Sequence, residues 1–267
     1  MKKKVRKNGL WVLLFLVIVL LCITAPLYAV YSPTEVDLGS VLQKPNAAHW
    51  FGTDRFGRDL FTRVLYGARI SLMVGIVTAV INTIIGVIYG GIAGYVGGRV
   101  DMWMMRLTDI LYSIPELLYI ILIMLIFGSN VRSIIIGVCV AGWISMARMV
   151  RSQIITLKEQ EFALAAFVLG ANSRRILFKH LIVNSLGTII VTVTLMIPQA
   201  IFMEAFLSFV GVGISAPMAS LGTLAQDART YLEIFPYQML FPVATICVTI
   251  FSLNFIGEGL NLSLIHI

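Results

Sequence analysis

The stretch that decides the fold is SLMVGIVTAVINTIIGVIYGGIAGYV, residues 71–96, which contains no charged side chain. A helix of about 20 apolar residues is long enough to cross the hydrocarbon core of a bilayer. Backbone polar groups find no water in that core, so a helix that satisfies its own hydrogen bonds is the expected structure there. This stretch is therefore predicted to be a transmembrane helix.

Comparable apolar runs recur along the whole chain of 267 residues. They occupy residues 10–30, 71–96, 107–128, 133–152, 185–212 and 238–257. The chain is 59% hydrophobic with a mean hydropathy of +0.94, whereas soluble domains are about 45–50% apolar. The first run exceeds the roughly 7–15 apolar residues of a signal peptide, so we expect it to be retained. We predict an all-α integral membrane protein with about six transmembrane helices.

The distribution of lysine and arginine predicts the orientation of these helices. When the lysine-rich N-terminus is placed in the cytoplasm, nearly twice as many basic residues fall in the inner segments as in the outer ones. This asymmetry is the one that membrane proteins usually show, and it places both termini in the cytoplasm. It also accounts for the net charge of +7 without nucleic acid, because no basic run is interleaved with aromatic residues.

Small residues and prolines predict how the spans pack. Four glycines recur at every fourth position of the second span, at Gly86, Gly90, Gly94 and Gly98. Such spacing forms a groove on one helix face and favours close helix packing, although it is also compatible with the lining of a solute conduit. Pro115 and Pro198 lie within or at the edges of spans and are expected to mark bends.

The outer segment HWFGTDRFGRDLFTRVLYGARIS, residues 49–71, is predicted to form a separate amphipathic helix. Thr53 or Asp54 can cap it, and Asp59 can pair with Arg63 one turn later. Its apolar residues fall on one stripe, so the helix is expected to lie along the outer membrane surface. It serves there either as a packing element or as a contact for a soluble partner or solute.

A basic insert, EQEFALAAFVLGANSRRILFKHLIVN at residues 159–184, follows the fourth span on the cytoplasmic side. Good helix formers from Lys158 to Leu169 predict a first helix that ends at Gly170. Asn172 or Ser173 can cap a second helix that extends to His180. Small alanines between two phenylalanines provide a surface that fits a groove on another protein. A solvated loop near anionic lipid is the alternative interpretation.

The pattern FALAAFVLGA, followed by KHLIVN, resembles the cytoplasmic loop called the EAA motif in permeases of binding-protein-dependent ABC importers. Five further segments in the same order resemble the second permease subunit of dipeptide, oligopeptide and nickel importers. They are FGTDRFGRDLFTRVLYGARISL at 51–72, IAGYVGGRVD at 92–101, RLTDILYSIP at 106–115, WISMARMVR at 143–151 and EAFLSFVGVG at 204–213.

The resemblance implies a type I ABC importer permease in the bacterial inner membrane. Such a permease pairs with a sister permease, contacts two cytoplasmic ATPases that bind ATP and Mg, and receives solute from an extracytoplasmic binding protein. The residues that would form the coupling helix and its turn are Phe162, Ala163, Leu164, Ala165, Ala166 and Gly170. Two positions depart from the family pattern: Leu164 stands where glutamate is usual, and Val183 where proline is usual.

The chain carries no nucleotide-binding GxxxxGK[ST] motif and no HExxH, CxxC or nucleophile elbow. We therefore expect no catalytic or metal-binding residues, and ATP hydrolysis is assigned to partner subunits. Glu204 lies within the fifth span, where a carboxylate is by default a functional candidate. It is predicted either to line the pathway or to contact the sister permease.

The expected organisation is an N-terminal span with the outer helix at 1–70 and a permease core at 71–260 that includes the coupling loop at about 153–184. The last residues, LSLIHI, depart from the family pattern and resemble a translated sequencing adapter, so 261–267 are expected to be a non-native tail in which His266 has no metal role. A nickel or nickel-chelate importer is the alternative within the family. A stand-alone secondary transporter or channel and a membrane scaffold are the alternatives outside it.

Overall fold

A computed structural model describes the backbone of residues 2–215 and 218–265 and the side chains of residues 9–215 and 218–262. Within these residues the chain is almost entirely helical, with only an isolated bridge between Thr53 and Asp59. The helices are α1 Lys2–Tyr28, α2 Leu60–Val96, α3 Gly98–Tyr112, α4 Glu116–Phe127, α5 Val131–Ala141, α6 Trp143–Lys158, α7 Glu161–Val168, α8 Ser173–Arg175, α9 Ile182–Val210, α10 Leu221–Arg229 and α11 Tyr237–Ile265. A short 3₁₀ helix spans Leu38–Ser40, and a π-helical turn at Ile176–Leu181 joins α8 to α9.

Among the described residues, five helical segments are long and apolar enough to cross a membrane, and the bent pair α3 and α4 is a sixth if it forms one span. The prediction of about six transmembrane helices is confirmed. Helices α5 and α6 count as one span because they meet at Gly142 without a sharp bend, whereas α3 and α4 meet at 73°. The break lies at residues 113–115, where Pro115 precedes α4. The bend predicted at Pro115 is present, but Pro198 lies inside the continuous helix α9.

The prediction of a separate helix along the outer membrane surface is wrong. Asp59 caps α2 by accepting a hydrogen bond from the Thr62 amide at 2.8 Å, and the helix then continues unbroken for 37 residues. At 1.5 Å per residue the helix is about 55 Å long, which exceeds the thickness of the hydrocarbon core. Its first turns therefore extend beyond that core, and they belong to the same helix as the span. The proposed domain boundary at residue 70 therefore falls inside α2.

Ion pairs also differ from the predicted pattern in this segment. The Arg63 guanidinium pairs with Asp54, not with Asp59, and both side chains are buried. Arg58 donates to the same Asp54 carboxylate at 2.7 Å, and Asp227 of α10 lies 3.8 Å from Arg63. Basic residues expected at the membrane surface thus hold the outer loop, α2 and α10 together.

The glycine groove of α2 packs against α6, as predicted. Gly86 lies against Met146, Gly90 against the backbone of Ala147, and Gly94 against Arg151 and Ile154. Gly98 does not belong to the groove, because it begins α3 with φ +57° and no atom lies where its side chain would point. The absent side chains allow the two backbones to approach closely along three turns.

The segments between helices gather at two ends of the bundle. At one end Arg151 pairs with Asp101, and the Lys158 ammonium donates to the Tyr95 carbonyl at 3.1 Å. At the other end the Tyr237 hydroxyl donates to the Gln43 carbonyl at 2.8 Å. This grouping matches the inner and outer sets that the charge count separated. Which end faces the cytoplasm stays a prediction from that count.

Candidate coupling loop and central cavity

The predicted coupling helix is α7, which begins later than expected. Helix α6 extends to Lys158, and Gln160 then adopts an extended conformation that separates the two helices. The predicted start of the first helix at Lys158 is therefore wrong, because Lys158 ends α6 and its ammonium bonds to α2. The coupling helix itself spans eight residues, with Glu161 in its first turn.

The end of α7 forms a Schellman turn at Gly170. This residue has φ +79°, its amide donates to the Phe167 carbonyl, and the Ala171 amide donates to the Ala166 carbonyl, both at 3.0 Å. These bonds satisfy carbonyls that the end of the helix would otherwise leave free. The predicted role of Gly170 in ending the helix is confirmed.

The second predicted helix continues beyond His180. The Asn172 side chain caps it by accepting a hydrogen bond from the Arg175 amide at 2.8 Å. Asn172 was one of the two residues predicted as the cap. The chain then passes through the π-helical turn directly into α9, so residues Ser173–Val210 form one long helical segment. The loop therefore connects rigidly to a membrane span on its C-terminal side.

The predicted coupling residues divide between two faces of α7. Ala163 is only 4% exposed, and it packs with Ala166 against a cluster that includes Ile154 and Leu177. The remaining residues of the helix and its end form an outward surface, here called the α7 apolar face, which consists of Phe162, Leu164, Ala165, Phe167, Val168 and Leu169. Ala163 and Ala166 thus anchor the helix to its own subunit, with Ala163 buried and Ala166 partly buried.

Val168 and Leu169 belong to this face although they were not among the predicted coupling residues. Val168 is 82% exposed and follows Leu164 by four residues, which places both on one side of the helix. The four-residue spacing between Leu164 and Val168 is the sequence pattern that could have indicated that Val168 lies on this face. Val183, the second departure from the family pattern, is exposed on α9. Neither Leu164 nor Val183 fills an interior position.

Replacing Gly170 with alanine is expected to destabilise the end of α7 by about 1–2 kcal/mol, because a Cβ is strained at positive φ. No neighbouring atom blocks the added methyl group, so the effect should be purely conformational. Hydrogen exchange should accelerate at the amides of Leu169 and Ala171. Asparagine, which tolerates this conformation, is the matched control and should have a smaller effect. Equal exchange in both variants and the parent would contradict the interpretation.

Two ion pairs connect the coupling side of α6 to α3. Arg151 forms a bidentate pair with Asp101, in which the second hydrogen bond measures 2.5 Å. Arg148 donates to Asp109 at 2.8 Å and lies 4.6 Å from the centre of the Tyr112 ring. Because α3 ends at Tyr112, a displacement of α6 would be transmitted to the break before α4.

A cavity of about 370 Å³ lies at that break, between α2, α3, α4, α5, α6 and α9. Its polar lining residues are Thr78, Asn82, Tyr112, Glu116, Ser145 and Gln199, and Met196 and Met203 contribute apolar surface. The cavity opens to the surface where Ser145 and Gln199 are exposed. A volume of this size falls within the range of sites for small molecules. No local pattern in the sequence indicates it, because residues from six helices meet there.

Glu204 lies elsewhere, inside the subunit. Its side chain is fully buried, and it accepts hydrogen bonds from the Ser71 hydroxyl at 2.6 Å and the Ser208 hydroxyl at 2.8 Å. It is not among the residues that line the cavity. Within the subunit the carboxylate links α2 and α9. The two sequence-based roles, in the pathway or at the sister permease, stay predictions.

Comparisons with known proteins agree with this arrangement. A family model described as the binding-protein-dependent transport system inner membrane component matches residues 84–264. The oligopeptide transport system permease protein OppC of Bacillus subtilis is 46% identical over 249 residues, covering 93% of this chain and 82% of the relative. The dipeptide transport system permease protein DppC of the same organism is 46% identical over 261 residues, covering 97% and 81%.

A third relative, OppC of Escherichia coli, is 43% identical over 251 residues, which cover 93% of this chain and 83% of the relative. The matched family region includes the coupling loop and most of the helices that surround the cavity. The chain therefore belongs to the binding-protein-dependent transport system inner membrane components, a family of permeases, and is a multi-pass protein of the cytoplasmic membrane.

Proposed function

We propose that this chain is the permease subunit of an ATP-driven importer of dipeptides or oligopeptides. It forms the translocation pathway with a sister permease, couples to two cytoplasmic ATPases that bind ATP and Mg, and receives solute from an extracytoplasmic binding protein. The names of the relatives support peptide as the transported class. The permease itself supplies no catalytic group.

The observation that carries the coupling role is the α7 apolar face. Its large side chains are exposed at the end of the bundle that the charge count places in the cytoplasm; Phe167 is 70% and Leu169 is 86% exposed. A short helix that presents contiguous apolar side chains to water is typical of an interaction site. An amphipathic helix of this kind docks into a groove by burying such residues.

Contacts within the subunit support a mechanical path from this face to the cavity. Ala163 packs against Ile154 of α6, and Arg151 of α6 pairs with Asp101 of α3. On the other side of the loop, the π-helical turn continues into α9, which contributes Met196 and Gln199 to the cavity. Closure of the two ATPases would then move α6 and α9 together and alternate access to the pathway by a rigid-body mechanism.

The test introduces two aspartates on the α7 apolar face, Leu164→Asp and Val168→Asp, into the complete transporter. ATPase subunits recovered with the purified permease should decrease at least about tenfold, because burying an unpaired carboxylate in an interface is strongly unfavourable. Both positions are exposed, so the fold of the permease should be retained. Peptide uptake in proteoliposomes should be lost in parallel.

The matched control carries Val36→Asp and Leu38→Asp, which are also exposed apolar residues but lie in the loop at the opposite end. This variant should retain its ATPase subunits. Unchanged ATPase recovery in the α7 variant would reject the coupling assignment. Uptake of nickel and not of peptide by the unaltered transporter would reject the substrate class while leaving the coupling role intact.

A further inference from the structure

The cavity at the break between α3 and α4 carries a single charge. Among the described residues that line it, Glu116 is the only one with an ionisable acidic or basic side chain other than the Tyr112 phenol. Within the described chain no basic side chain lies within ion-pair distance of Glu116. Its carboxylate is therefore available to a cation from outside this subunit.

Glu116 lies at the break of the bent helix pair α3 and α4, which is the sixth candidate span. Helix α3 is about 22 Å long and α4 about 18 Å, from 15 and 12 residues at 1.5 Å each. The two helices meet at 73°, and Glu116 is the first residue of the second one. A carboxylate within a candidate span is unfavourable unless it faces water or a partner charge, and the cavity can admit either.

A second side chain in the cavity also lacks a partner. Asn82 of α2 is only 3% exposed, and its Oδ1 atom accepts no hydrogen bond within the described chain. A buried amide oxygen without a partner is unfavourable and is usually satisfied by a ligand or water. Asn82 and Glu116 line the same cavity, so a donor that draws the buried Asn82 amide oxygen toward the cavity would satisfy both oxygens.

We propose that Glu116 and Asn82 form a subsite for the primary ammonium group of a transported peptide. An ammonium group supplies three donors and one positive charge, which match a carboxylate and an amide oxygen. Gln199 and Ser145 provide neutral donors and acceptors for the peptide backbone, and Met196 and Met203 provide adaptable apolar surface for its side chains. This assignment rests on the proposed function, because it names the part of the peptide that the pathway recognises.

The test measures uptake by the complete transporter in proteoliposomes, with trialanine delivered by saturating binding protein. Glu116→Gln should reduce uptake about tenfold, because it removes a charge-assisted interaction with the ammonium group. Hydrolysis of ATP stimulated by the loaded binding protein should continue, since the α7 apolar face is unchanged. Glu116→Asp should restore part of the uptake. Glu258→Gln, which neutralises an exposed acid on α11, is the matched control and should transport normally.

Moving the charge across the cavity provides an independent measurement. The double variant Glu116→Gln with Asn82→Asp returns one carboxylate to the same cavity and should recover uptake relative to Glu116→Gln alone. Recovery in this variant would also exclude misfolding as the cause of the first loss. Failure of the double variant to recover, or normal uptake by Glu116→Gln, would overturn the proposal.

Two peptides distinguish the sources of the ammonium group. Trialanine has only its terminal amine, whereas Ala-Lys-Ala also has a lysine side chain. An equal loss for both peptides assigns Glu116 to the terminal amine, and a loss confined to Ala-Lys-Ala assigns it to the side chain and overturns a general role. If the unaltered transporter takes up neither peptide, the proposed function fails, which differs from a failure of the subsite alone.

Discussion

Replacing Gly90 with alanine is expected to destabilise the protein by about 3 kcal/mol or more, because α2 and α6 can no longer meet at their present distance. An added Cβ would lie 2.8 Å from the carbonyl carbon of Ala147 and 2.9 Å from its Cα, closer than such atoms are found in proteins. Overpacking typically costs about 1–3 kcal/mol, and here the obstacle is backbone that cannot adopt another rotamer. Unfolding by sodium dodecyl sulfate, followed by tryptophan fluorescence, measures the loss.

Gly91→Ala is the matched control for this substitution. It adds the same methyl group at the next position of the same helix, where the nearest atom is the Ile182 Cδ1 at 3.5 Å. This variant should unfold at nearly the same detergent fraction as the parent, or slightly higher, because alanine favours helix relative to glycine. Equal stability of the two variants would show that the close contact between α2 and α6 does not hold the bundle together.

Replacing Asp54 with alanine is expected to destabilise the protein by about 3–5 kcal/mol, because it leaves the buried Arg63 guanidinium without its nearest countercharge. Arg63 is only 4% exposed, and its remaining partner, Asp227, lies at 3.8 Å. Asp54 also accepts from Arg58 and from the Phe56 amide, so the loop before α2 should loosen as well. The same detergent unfolding measures the change.

Asp109→Ala provides the comparison, since it removes the acidic partner of Arg148 from an exposed pair. Exposed ion pairs contribute about 0–1 kcal/mol, so this change should be small. Adding Arg63→Leu to Asp54→Ala should recover part of the lost stability, because the unpaired charge is then gone. If the double variant is no more stable than Asp54→Ala, the unpaired charge is not the cause of the loss.

Several features of the fold could be predicted because they depend only on local composition. The spans follow from uncharged runs of sufficient length, and the glycine groove follows from a repeat of four residues. The end of α7 at Gly170 follows from the conformational freedom of glycine. In each case the decisive property belongs to neighbours in the chain, and the structure confirms it.

Other features could not be predicted where a distant residue decided the outcome. The helix at the outer surface was expected to lie along the membrane, but Asp54 and Asp227 neutralise Arg63, and the segment joins α2 as one continuous helix. Glu204 was expected within the fifth span, and only the structure shows that serines from α2 and from its own helix satisfy the carboxylate. Partners so far apart in sequence leave no local pattern.

The two faces of α7 also depend on residues that are distant in the sequence, so they could not be predicted from the local pattern. The resemblance predicted the coupling segment, but it could not separate Ala163 and Ala166, which pack inward, from Leu164 and Ala165, which face outward. That separation depends on where α6 and the π-helical turn lie. Leu164 is on the outward face, so the chain presents an apolar residue where the family pattern has an acid.

The sequence by itself determined the membrane environment, the approximate number of spans and the family, and it predicted the loop that would meet a partner. These properties depend on hydropathy, residue spacing and motif order along the chain. Only the tertiary structure brought Asn82, Glu116 and Gln199 to one cavity, because they lie on three helices separated by tens of residues. The physical reason is that a cavity is bounded by contacts between helices, and such contacts are fixed by packing of the whole bundle.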